Sequence, residues 1–71
     1  MKRHFEFIGG SSAKFWELTV AGCNVTVCFG RIGTEGQSQT KSLADTAAAQ
    51  QHATRLVCEK IKKGYVEKVA A

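Results

Sequence analysis

Apolar and polar residues alternate through the first half of the chain, and the second half carries a helical stripe. Phe5 and Phe7 share one side of a short run from Arg3 to Ile8, with His4 and Glu6 on the other. Gly9-Gly10-Ser11-Ser12 breaks that run. From Lys14 to Val20 the alternation returns. Trp16, Leu18 and Val20 fall on one face and Phe15, Glu17 and Thr19 on the opposite one. Ala21-Gly22-Cys23-Asn24 reads as a compact turn, and Val25 to Ile32 resumes with Val25, Val27 and Phe29 at alternate positions. The two runs predict a hairpin. After Gly33-Thr34-Glu35-Gly36, the segment Gln37 to Leu43 is polar and rich in hydroxyls. With no apolar face to bury, it is expected as an exposed or edge strand.

The second half reads differently. Asp45 is a good helix N-cap, Ser42 being the other candidate. No glycine interrupts Thr46 to Lys63, and its alanine-rich start has high helix propensity. Ala49, Ala53, Leu56, Val57, Lys60 and Ile61 recur at i, i+4, i+7 spacing and predict a stripe that lies on the sheet. Lys60, Lys62 and Lys63 complement the dipole at the helix end, and Gly64 is the natural stop. A short closing strand is expected from Tyr65 to Val69. Strands followed by a helix define an α+β class: a twisted antiparallel sheet of four to five strands with one helix across it.

Length changes the picture by limiting it. The chain has 71 residues, read as a single domain over 1–71. Such a domain buries only about 60% of the surface its unfolded form exposes, which leaves little room for an enclosed substrate pocket. No apolar run nears the roughly 20 residues of a membrane span. The basic start meets Glu6 before any apolar stretch, so a signal peptide is not expected. Cys23, Cys28 and Cys58 are odd in number and scattered, which suits free thiols and a cytoplasmic location. A monomer is expected. The formal charge of +4 favours polyanionic partners.

Candidate chemistry is sparse. Cys23 and Cys28 would point to opposite faces of a strand, His4 and His52 lie in distant segments, and no paired ligands occur at zinc spacing. No metal or other cofactor is expected. Glu6, Glu17, Glu35, Asp45, Glu59 and Glu67 are spread along the chain, and His52 has no evident catalytic partner. An enzyme is not expected. Gly30-Arg31-Ile32-Gly33-Thr34-Glu35-Gly36 has glycines at every third position, but a strand follows where a dinucleotide fingerprint needs a helix. Hairpin punctuation explains the glycines better. Arg31, flanked closely by glycine, presents a guanidinium suited to phosphate or carboxylate.

Trp16 and Tyr65 are aromatic candidates for base stacking, although Trp16 shares its face with Leu18 and Val20 and is expected in the core. Phe29 alternates with core positions, yet its place at a strand end would let it edge into solvent. Lys41 and the basic group Arg55, Lys60, Lys62, Lys63 and Lys68 complete the candidates for a phosphate-tracking patch, offset by Glu59 and Glu67.

Phe29-Gly30-Arg31-Ile32-Gly33-Thr34-Glu35-Gly36-Gln37 resembles the namesake segment of the WGR domain, with phenylalanine in place of its tryptophan. Lys14-Phe15-Trp16-Glu17-Leu18 resembles the family's lysine-aromatic-aromatic strand. Leu43 and Asp45 lead into the helix, and Lys60-Ile61-Lys62-Lys63-Gly64-Tyr65 resembles its exit. The likeness runs in order over about residues 3 to 69. It implies a twisted antiparallel sheet with one helix, and relatives in poly(ADP-ribose) polymerases, in proteins like a molybdate-metabolism regulator and in small bacterial proteins. The polymerase domains help bind DNA ends, their motif tryptophan packing on the terminal nucleotide and their motif arginine joining domain contacts. Carried over, these roles fall on Phe29 and Arg31.

Together these readings lead to one expected function: a non-catalytic nucleic-acid-binding module, with DNA and its ends in view. Its expected site is Phe29, Gly30, Arg31, Lys41, Lys60, Lys63 and Tyr65. A protein-interaction adaptor that docks through Gln37–Leu43 and Arg31 is the competing expectation.

Overall fold

Each alternating run becomes a strand. The structure, a computed structural model, describes residues 2–68. It contains β1 (Lys2–Gly9), β2 (Ser12–Ala21), β3 (Asn24–Arg31), β4 (Gln37–Ser42), α1 (Thr46–Lys62) and β5 (Val66–Glu67). Four consecutive strands form an antiparallel meander, and α1 then carries the chain back so that β5 pairs with β1. The sheet order is β4-β3-β2-β1-β5. The fold is therefore an open five-stranded antiparallel sheet with one helix, an α+β architecture. The expected closing strand narrows to Val66–Glu67, and Val69 lies outside the described residues.

Alternation decides which face is covered. Phe5, Trp16, Leu18, Val20 and Val25 sit on the helix side and join Ala49, Ala53 and Val57 in one buried cluster. Phe5 pairs with Trp16, whose other neighbour in register is Phe29. The tilted Phe5 and Trp16 rings lie 5.6 Å apart. Burying each large side chain contributes about 1.5–3 kcal/mol, and in so small a domain these few residues carry the fold. Alanines at 49 and 53 let the helix backbone come close to β2 and β3, the strands it chiefly rests on. β4 is left uncovered at the edge, every residue exposed.

The helix ends match the residues that mark them. The Asp45 carboxylate accepts a hydrogen bond from the Ala48 N–H at 2.7 Å, and such a cap contributes about 1 kcal/mol. Lys63 caps the other end, followed by Gly64. The expected apolar stripe fails at Ile61, which is 53% exposed. Steps of four residues turn a 3.6-residue helix by about 40° too far, so from Ala49 through Ala53 and Val57 the stripe has rotated off the sheet by Ile61. The i+3 positions Leu56 and Lys60 stay on it, both half-buried.

Candidate nucleic-acid interface

The segment after β3 is shaped by two glycines. The Arg31 carbonyl accepts hydrogen bonds from the Thr34 N–H at 3.1 Å and the Thr34 hydroxyl at 2.7 Å, which closes a turn. The chain then folds back against the strand end. A Cβ on Gly30 would stand 2.7 Å from the Gly36 Cα. One on Gly36 would meet the Phe29 carbonyl oxygen and lie 2.8 Å from Phe15 Cζ, and Gly36 has φ +72°. No side chain fits there. The glycine spacing is thus hairpin chemistry, as its pattern suggests.

That fold-back leaves Arg31 exposed at the end of β3. Its neighbour in register on β2 is Lys14. Phe29, two residues earlier, is half-buried: it packs on the core cluster, and its remaining surface opens outward. Tyr65 arrives from the helix exit and meets Phe7 with ring centres 5.5 Å apart. Lys14, Phe29, Gly30, Arg31 and Tyr65, with Ser11 to Ala13, line a depression of about 400 Å³. Lys60 adjoins it, its ammonium 5.6 Å from the Trp16 ring centre and 5.5 Å from that of Tyr65. Lys14 lies 5.2 Å from the Phe7 ring centre. Burial pushes the Lys60 ammonium below its ordinary pKa, with Lys63 and Lys14 adding to the effect and Glu59 opposing it.

The charges here are unbalanced. Among the described residues, Lys14, Arg31, Lys60 and Lys63 have no carboxylate within salt-bridge distance. Lys14 and Arg31 are moreover like charges directly opposite across two strands, an arrangement that costs stability.

Of the expected site residues, Phe29, Gly30, Arg31 and Tyr65 come together, with Lys60 beside them. Lys63 is exposed at the helix cap. Lys41 does not join them. It pairs with Val25 while Gln37 pairs with Phe29, so it sits about 13 Å further along β4. There it lines a separate hollow with His52 and Leu56. Arg55, Lys62 and Lys68 are exposed and stand outside the depression's lining. Trp16 is core, as its face requires. Lys14 and Phe7 are the residues that the sequence reading passed over. Hairpin register was the available signal, since Lys14 shares the alternating face of Trp16.

The opposite face of the sheet is quite unlike this. Phe15 is buried there beneath the turn, in a hollow with His4, Glu6, Glu17, Ile32, Gly33 and Thr34. His4 Nε2 lies 3.0 Å from Glu6 and Nδ1 lies 3.1 Å from Glu17, which also faces Lys2 at 3.7 Å. The carboxylates, Glu6 first, hold the His4 pKa above its ordinary value.

A sheet crossed by one helix, with aromatic and basic residues gathered at the strand ends, defines a small α+β module. The WGR domain model matches residues 1–71, and the chain belongs to the WGR family. WGR domains are small non-catalytic modules of a nucleic-acid-binding type. The chain is similar to Protein YehF of Escherichia coli K12, 45% identical over 65 residues, covering 92% of this chain and 24% of that protein. It is also similar to the uncharacterized protein YfeS of the same organism, 34% identical over 67 residues, 94% of this chain and 28% of the other. A crystal structure of a Bacteroides fragilis protein superposes with a TM-score of 0.94 at 45% identity, over 97% of this chain and 20% of that one. The chain thus spans about a quarter of the length of the curated relatives. Among the described residues no helix is long and apolar enough to cross a membrane.

Proposed function

We propose that the chain is a non-catalytic nucleic-acid-binding module that receives DNA in the depression at the end of β3. The observation that carries this reading is the Lys14–Arg31 pair. Two cations side by side, with no carboxylate within salt-bridge distance among the described residues, lower the stability of the hairpin and suit a phosphate. Phe29 offers a stacking surface, and Lys60 and Lys63 add attraction. A base on an exposed aromatic contributes about 1–3 kcal/mol. DNA ends suit a depression that opens at the strand ends. The module is proposed to work as a monomer in the cytoplasm, the second point resting on the free thiols of Cys23, Cys28 and Cys58, which favour a reducing compartment.

Fluorescence anisotropy with labelled blunt, nicked and single-stranded DNA tests this. Three neutralised phosphates predict an affinity loss of about 20- to 40-fold between roughly 50 and 200 mM salt. Absence of binding to all three at the lower salt removes the reading. A second reading, a protein adaptor, is favoured by the uncovered β4 edge. A partner captured after nuclease treatment and lost in Arg31→Ala would support it.

A further inference from the structure

Three hollows on the helix side share their linings. The end depression and a middle hollow of about 240 Å³ both include Phe29 and Tyr65. The middle hollow shares Val27, Gln39 and Leu56 with the one of about 230 Å³ that holds Lys41 and His52. They form one groove, with the inner face of β4 as its floor and the flank of α1 as its wall. It exists because the helix rests on β2 and β3 and stops short of the edge strand.

Resting on the nucleic-acid reading, we infer that this groove takes a single strand of nucleic acid laid along β3 from Arg31 to Lys41. Cations stand at both ends and beside the middle: Lys14 and Arg31, then Lys60, then Lys41. Glu59 is the one carboxylate in the combined lining. Phe29 and Tyr65, each half-buried, border two of the three hollows and offer ring surface at the junction. A groove walled by a helix on one side admits unpaired bases and not a paired duplex. Its length follows from the register. Val25, the partner of Lys41, lies six strand residues from Arg31, about 20 Å. That is the length of about six stacked nucleotides at 3.4 Å each.

The test is an anisotropy series with oligo-dT of two to eight nucleotides, with oligo-rU of equal lengths as a second arm, on the native chain and on Lys41→Glu. Affinity should rise with length and level off near six nucleotides. Lys41→Glu should leave the two-nucleotide probe unaffected, abolish the gain with length, and lower the salt slope for the six-nucleotide probe by about 0.7. Amide shifts at Gln39, Lys41 and His52 should move with the longer probe alone. Affinity independent of length, no effect of Lys41→Glu, or equal affinity for a duplex of the same length overturns the groove and leaves the end depression standing. Failure of every probe, the shortest included, removes both.

Discussion

The two faces of the sheet use the same residue types in opposite ways. On the open face, charges are matched: His4 lies between Glu6 and Glu17, and Glu17 also reaches Lys2. On the helix side, among the described residues, Arg3 alone is matched, its guanidinium forked onto Glu67 at 2.7 and 2.8 Å. Lys14, Arg31 and Lys60 rest on rings or face each other. Both faces also bury a phenylalanine, Phe5 beneath the helix and Phe15 beneath a turn. Ion pairing accounts for Lys2, His4, Glu6 and Glu17 on the balanced face. It leaves the other with a surplus of positive charge that no carboxylate matches at salt-bridge distance among the described residues, and local rules broken in this way are the usual mark of a binding surface.

The comparison breaks most visibly at the two phenylalanines. Phe5→Ala removes a side chain with no exposed surface and should cost about 3–5 kcal/mol. A chain of this size has about 4–10 kcal/mol in all, so thermal unfolding followed by circular dichroism should show most of the stability gone. Phe15→Ala should cost less, because a turn and not a helix covers it. Equal losses would mean that the turn is a second core.

Next in size is Gly36→Ala. The left-handed φ and the collision with the Phe29 carbonyl and Phe15 together should cost about 1–3 kcal/mol, a fall in melting temperature of roughly 4–24 °C. Because the turn also positions Arg31, DNA affinity should fall along with stability. Loss of stability without loss of binding would separate the turn from the site.

Lys14→Glu sharpens the contrast from the other side. Replacing a like-charge pair by an opposite pair should raise stability by about 0.2–1 kcal/mol while weakening DNA binding and flattening its salt dependence. Opposite signs for stability and binding are the result that a purely structural lysine would not give. Denaturant titration and anisotropy on the same preparation decide it.

How far residues announce all this depends on the range of the interaction. Asp45 and Gly64 mark the helix ends because capping is local, and alternation separates Trp16 from Phe15 because side-chain direction in a strand is local too. The partnership of Lys14 with Arg31 rests on register across a hairpin, 17 residues apart in the chain, and only the paired strands display it. Lys41 meets the same limit. Its charge is legible in the sequence, whereas its place four residues along an edge strand, at the far end of the groove, emerges only from the pairing of the strands. A stripe followed at i+4 spacing for one turn too many puts Ile61 on the sheet, whereas it is exposed.

The smallest effect belongs to the balanced face and concerns pH. With a carboxylate at hydrogen-bond distance from each ring nitrogen, His4 is held best as the imidazolium. Its folded pKa therefore lies above the ordinary 6.5, the Glu6 contact being the largest cause. A raised folded pKa contributes stability that is fully present below the unfolded value and is lost as pH rises through the folded one. Melting temperature should accordingly decline as pH climbs past about 6.5, by a modest amount because the imidazole is part-exposed. His4→Gln keeps a polar side chain but cannot titrate, so its melting temperature should stay level over that interval. DNA affinity measured across the same interval should be unchanged by the substitution, since His4 and the basic depression lie on opposite sides of the sheet. A matching pH dependence of binding, lost in His4→Gln, would show that the two faces are coupled through Phe15 and the turn above it.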